Sequence, residues 1–278
     1  MARKWTRRQS KATGQRFLAA LGFFAVPIGI LAPLAPQWWD GKWWLVLGVL
    51  AVAVGWTALG LRRKEPNQRY RENVTIRLVV GDLFIQDASP VIGMTATFDT
   101  RVPEVIAPTS VQGHFLKRIY DGSQERLDAD LDHALANVKP EGMIAKPGKQ
   151  TVYPLGTVAT LSPPGRLRYY CAAYTRMDEK NRASGTIRSV LDSLDNSWEE
   201  ADVHGNGDPI CVPVIGQGQS RIPELTPEIS IRLIAFSFLL RSKKSRFASE
   251  LRIVVHPSER DKINFPEFQA FLTSLAAS

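Results

Sequence analysis

Six consecutive residues, Gly216-Gln217-Gly218-Gln219-Ser220-Arg221, have the composition of a phosphate cradle. Glycines let the backbone approach an anion closely, and consecutive amides form a concave donor surface. Ser220 adds a hydroxyl and Arg221 a charge. The same composition also suits an ordinary turn after a strand. It matches neither the Walker A pattern, lacking Gly-Lys-Ser/Thr, nor GxGxxG. Asp82, in Gly81-Asp82-Leu83-Phe84, has two readings of equal standing: a helix N-cap or turn residue, or a carboxylate accepting from an exocyclic amine such as that of adenine. Asp99, in Thr97-Phe98-Asp99-Thr100, offers a general base in principle, but no catalytic partner accompanies it.

Other chemistries find little support. Cys171 and Cys211 sit in the apolar contexts Tyr-Tyr-Cys-Ala-Ala and Pro-Ile-Cys-Val-Pro, as buried inert thiols do. His114, His133, His204 and His256 are scattered without metal-ligand spacing, so no metal, cofactor or catalytic residue is assigned. The net charge of +8 divides unevenly. Residues 1–72 carry 12 Lys/Arg against 3 Asp/Glu, whereas residues 73–278 carry 23 against 24. The second part therefore has no electrostatic case for binding nucleic acid.

The elements that must position these loops alternate in type. Strand patterns cover Val74–Val80, Val91–Phe98, Val152–Leu161, Leu167–Arg176, Ile210–Ile215 and Leu251–His256. Helical patterns cover Ser110–Tyr120 with Ser110 as N-cap, Gln124–Asn137, Ser184–Asp202 and the very apolar Glu228–Arg241. This order predicts a three-layer α/β/α domain with a mainly parallel or mixed sheet over residues 73–278. Ligands of such folds sit at the carboxyl ends of strands, where all three loops above fall.

Residues 1–72 read differently. The apolar runs Phe17–Pro36 and Trp43–Leu61 are separated only by Gln37–Lys42, and each is long enough for the roughly 30 Å core of a bilayer. Basic residues flank both, and Trp38, Trp39, Trp43 and Trp44 cluster between them. The expectation is a two-helix transmembrane hairpin with both termini cytoplasmic, followed by Arg62–Asn73 as a polar linker. A signal peptide is the competing reading of the first run.

Several segments carry a family resemblance. The strand ending in Gly-Asp-Leu-Phe resembles the Gly-Asp-Ile-Thr start of macro domains, the ADP-ribose-binding α/β/α module. The strand Pro209–Ile215, running into Gly-Gln-Gly, is similar to their diphosphate-binding loop. Val80–Phe84, Val91–Thr100, Ile106–Gly113 and Tyr153–Ala159 together resemble the membrane-anchored macro-domain effectors of bacterial Thoeris antiphage defence, and the likeness extends over essentially the whole chain.

The resemblance implies a receptor. In that family a TIR-domain enzyme consumes NAD and makes an ADP-ribose-derived signal, such as a histidine conjugate. The macro domain binds it, the chains form homo-oligomers, and the bacterial inner membrane, with its lipid bilayer, is breached. Carried onto this chain, Asp82 would bind the adenine amine and the amides around Gly216, Gln217 and Gly218 would hold the diphosphate, with Leu83, Phe84, Gln219, Ser220 and Arg221 as further ligand-binding residues of the same loops. Thr97, Asp99 and Thr100 would lie near the distal ribose, with Ser110, Gln112 and Gly113 at the pocket edge. Hydrolytic macro domains carry an Asn-Ala-Ala-Asn-like segment where this chain has Thr97–Thr100, so binding without turnover is expected. A tethered ADP-ribosyl hydrolase using Asp99, and a scaffold without ligand, are the alternatives.

Overall fold

The computed structural model describes residue 51 and residues 65–276 apart from residues 166 and 219–221. The chain divides into two units, Met1–Lys64 and Glu65–Ser278, and the architecture below is that of the second. Among the described residues no helix is long and apolar enough to cross a membrane. That finding corrects the expected localisation as a multi-pass protein of the inner membrane. The runs Phe17–Pro36 and Trp43–Leu61, on which the hairpin rested, lie outside the described residues apart from Ala51.

Eight strands form the main sheet, in the order β1-β2-β10-β9-β3-β7-β6, with β8 paired to the far side of β7. The strands are β1 (Asn67–Arg69), β2 (Thr75–Val80), β3 (Ser89–Thr95), β6 (Val158–Leu161), β7 (Tyr169–Met177), β8 (Ala183–Gly185), β9 (Ile210–Pro213) and β10 (Glu250–Val255). β4 (Gly142–Met143) and β5 (Thr151–Val152) make a separate two-stranded ribbon. β2, β10, β9, β3 and β7 are mutually parallel, while β1, β6 and β8 join antiparallel. The sheet is therefore mixed, as the alternation of elements predicts.

Helices cover both faces: α1 (Val111–Ile119), α2 (Gln124–Leu135), α3 (Ile187–His204), α4 (Pro227–Lys244) and α5 (Phe265–Ala276). The period of two along the strands builds two cores. Val91, Tyr170, Ala172, Val212 and Ile253 face the helices α3, α4 and α5, meeting Leu194, Trp198, Phe238 and Phe268. Ile92, Met94, Cys171, Ala173 and Val254 point the other way, toward Phe115, Leu127 and Leu131 of α1 and α2. Both cysteines are fully buried, and burial pushes each thiol well above its ordinary pKa.

Caps fix the helix starts. Ser110 accepts from the Gly113 amide at 3.0 Å, as the sequence predicts. Thr186 and Ser189 form a reciprocal capping box, so α3 begins at Ile187 and residues 183–185 join the sheet as β8. The expected single strand Val152–Leu161 is interrupted, because Pro154 and the left-handed Gly156 (φ 91°) end the pattern between β5 and β6. The linker reading of Arg62–Asn73 is corrected in part: β1 lies within it, held by Asn67, whose amide donates to Gln269 Oε1 of α5 at 2.8 Å.

The connections set the position of the site. From β3 the chain moves outward to β7, whereas from β9 it moves the opposite way to β10. β3 and β9 are neighbours, so the reversal opens a crevice beyond their carboxyl ends.

Candidate ligand-binding site

A cleft of about 750 Å³ occupies that crevice, a size suited to a nucleotide-scale ligand. Its walls come from the carboxyl ends of all five parallel strands, with Gly93–Thr95 supplied by β3. Gly81–Phe84 follow β2, Val214–Gly218 follow β9, His256–Glu259 follow β10, and Tyr174 and Met177 close β7. The first turn of α1, from Ser110 to Gln112, faces the cleft as well, so its positive helix end and the Gly216–Gly218 backbone both suit an anion.

Asp82, which lines the cleft, takes the capping role that its sequence context allows. Oδ1 accepts from the Phe84 amide at 2.9 Å and caps the short 3-10 turn Leu83–Ile85. Oδ2 is paired with Arg118 of α1, whose guanidinium lies 5.8 Å from the centre of the Phe84 ring. Partial burial pushes the Asp82 carboxyl upward, but the Phe84 amide, Arg118 and nearby His114 outweigh it and hold the pKa below its ordinary value. The carboxylate stays ionised at neutral pH and keeps lone pairs for a further donor. Arg118, 36 residues away in the chain, and His114 line the cleft but have no local motif that would mark them in the sequence.

The glycine loop is held from below. The Ile215 amide donates to Ser230 Oγ at 3.0 Å, and Gln217 Nε2 donates to the Leu225 carbonyl at 2.8 Å. The Gln217 side chain thus braces the loop from within, leaving its backbone beside the cleft. Gly216 has φ +85°, and a Cβ there would come within 2.8 Å of the Leu225 side chain. Only glycine meets both conditions without strain. Gln219, Ser220 and Arg221, expected to complete the cradle, lie outside the described residues.

Thr97, Asp99 and Thr100 are placed differently from expectation. They are buried behind the wall instead of lining the cleft. Asp99 Oδ2 accepts from Thr97 Oγ1 at 2.5 Å and from Lys146 Nζ at 2.6 Å, while Oδ1 accepts from the Lys149 amide at 2.7 Å. Both side chains of the Asp99–Lys146 pair are fully excluded from solvent. A carboxylate so occupied has no path to a substrate water, which corrects its reading as a base. Thr100 Oγ1 donates to Asp128 at 2.7 Å. Gly113 is also buried, and a Cβ there would fall 2.5 Å from the Ala107 carbonyl oxygen and 2.7 Å from that of Pro108. Gln112 does line the cleft, and its amide donates to the Asp99 carbonyl.

The expected residues that the structure gathers are thus Asp82, Leu83, Phe84, Ser110, Gln112, Gly216, Gln217 and Gly218. Comparison with known proteins identifies the fold and the family. The Thoeris protein ThsA of Bacillus amyloliquefaciens is similar, at 24% identity over 204 residues, covering 70% of this chain and 67% of that protein. Two single-substitution mutants of the Oceanobacillus iheyensis macrodomain share the fold. One has a TM-score of 0.51 at 14% identity, covering 76% of this chain and 97% of that one. The other has a TM-score of 0.50 at 16% identity, covering 76% and 95%. The family described as Thoeris protein ThsA, Macro domain, matches residues 76–256, and the chain belongs to that family.

Proposed function

We propose that this chain is the receptor for an ADP-ribose-derived signal in antiphage defence, binding it without turnover. The observation that carries the reading is the cleft at the β3/β9 reversal, lined by an ionised carboxylate, by a glycine-containing loop that Ser230 and the Gln217 side chain brace, and by the first turn of α1. Family membership over residues 76–256 supports it. Asp82 accepts from the adenine amine, and the adenine lies beside Phe84. The backbone of Gly216–Gly218 and the first turn of α1 hold the diphosphate. The distal ribose and its substituent, an amino acid such as histidine, then fall toward Tyr174 and Met177.

The sequestered Asp99 favours binding over hydrolysis. The signal is supplied by a TIR-domain enzyme acting on NAD, and the liganded chains associate. Calorimetric titration of the full-length chain with ADP-ribose and with its histidine conjugate tests the reading, with product formation followed chromatographically. The expected result is tighter binding of the conjugate by about tenfold or more and no product. Product formation would favour a hydrolase, and binding of neither compound would overturn the receptor reading.

A further inference from the structure

α4 is apolar on more than the side it buries. Ile231, Ile234 and Phe238 pack into the core, yet Ile229, Phe236 and Leu240 are 39%, 43% and 48% exposed. Leu233, between them, is half-buried. Positions 229, 233, 236 and 240 recur at spacings of four, three and four, the seam a helix presents to a second helix. The ends of the seam carry opposite charge. Glu224 and Glu228 stand at the amino-terminal end, and exposed Lys243 and Lys244 at the carboxyl-terminal end.

Those two features select one partner. Laid antiparallel on a second copy of itself, the seam is self-complementary about a two-fold axis between Leu233 and Phe236. Leu233 meets Phe236 of the partner subunit, and Ile229 meets Leu240 of the partner subunit. Each acidic end then lies beside the partner's basic end, and the two helix dipoles oppose favourably. A parallel pairing would set like charges together. We infer that α4 is the interface of a two-fold dimer of this chain. A single helix pair lies at the small end of specific interfaces, so the association is weak, about micromolar, and depends on concentration. It needs no ligand, and it stands apart from the reading of the cleft.

Disulfide trapping of the full-length chain under mild oxidation tests the inference. Ile229→Cys and Leu240→Cys in one chain are about 16 Å apart along the helix, too far to join each other. Across the two-fold axis they are opposed, so the double variant gives covalent dimers and either single variant does not. Cys171 and Cys211 are buried and do not compete. Adding Phe236→Glu lowers the trapped fraction about tenfold, with circular dichroism melting to verify folding. Lys243→Glu with Lys244→Glu also lowers it, and Glu224→Lys with Glu228→Lys on the same chain restores it. An untrapped double variant overturns the inference, including the case in which other residues of the same chain cover the seam. Equal trapping by Ile229→Cys alone overturns the antiparallel register.

Discussion

Lys146 Nζ lies 2.6 Å from Asp99 Oδ2, and neither side chain reaches solvent. The pair joins the loop before β5 to the segment after β3. Gln112, which lines the cleft, donates to the Asp99 carbonyl, so the buried pair stands directly behind the cleft wall. Breaking a buried pair leaves one uncompensated charge, which costs far more than replacing both partners by apolar groups. Lys146→Met is therefore expected to lower unfolding stability by about 3–5 kcal/mol in urea titrations. Lys146→Met combined with Asp99→Leu should recover much of that loss. Equal losses for the single and double variants would contradict a coupled pair.

Asp82 governs a different observable. Its carboxyl lies below its ordinary pKa, so it remains ionised throughout the range from pH 8 to pH 5. Asp82→Ala is expected to weaken binding of the ADP-ribose conjugate by about tenfold or more through loss of a charge-assisted acceptor. The ratio of wild-type to Asp82→Asn affinity should stay constant across that pH range. A ratio that changes between pH 7 and pH 5 would mean that the carboxylate titrates there and is not held by Arg118.

Asp128 reports on acid stability. Burial raises its pKa, but hydrogen bonds from Thr100 and Lys149 outweigh this and leave it lowered. Because the folded value lies below the unfolded one, its stabilisation is complete above the unfolded pKa. It is lost as pH falls through the folded value. Asp128→Asn should therefore reduce stability at pH 7 and flatten the loss of stability below about pH 4. Parallel curves for the two proteins through the acid limb would rule out that linkage.

Gly216 combines a left-handed backbone with a contact that admits no Cβ. Gly216→Ala is expected to cost about 1–3 kcal/mol and to displace the anion loop from Leu225. Binding should weaken for ADP-ribose and its conjugate alike, because both carry the diphosphate. Calorimetry with the two ligands checks this. A selective loss of one would place the loop elsewhere than at the diphosphate.

Gly93 of β3 lies against Tyr174, and both line the cleft. A Cβ there would fall 2.3 Å from Tyr174 Cε1, forcing that ring to move. Gly93→Ala should thus weaken the conjugate more than plain ADP-ribose. The reverse preference would show that the substituent does not approach Tyr174.

Much of this arrangement is legible from local pattern. The strands Val74–Val80 and Ile210–Ile215 announce themselves by apolar content, and Ser110 marks the start of α1 by its capping hydroxyl. The loops at the strand ends follow from the alternation of elements, which is why Asp82 and Gly216 fall in the cleft. What escapes is non-local. Nothing near Lys146 in the chain signals Asp99, 47 residues earlier, and nothing near Arg118 signals Asp82. β1 is polar and gains its place only by pairing with β2 and meeting Gln269. α5 does carry a helical signal in Phe265, Phe268 and Leu272, spaced three and four apart. Pro154 and Gly156 interrupt a run whose residue types otherwise read as one strand.

The cleft is assembled from chain segments that are far apart in sequence, most of them leaving the ends of a shared sheet. Residues 81–84, 110–112, 214–218 and 256–259 each return to the framework independently. Change in one loop therefore leaves the others in register. The segment after β2 can hold constant while the one that closes β7 drifts, so what such a cleft accepts can diverge without rebuilding the fold.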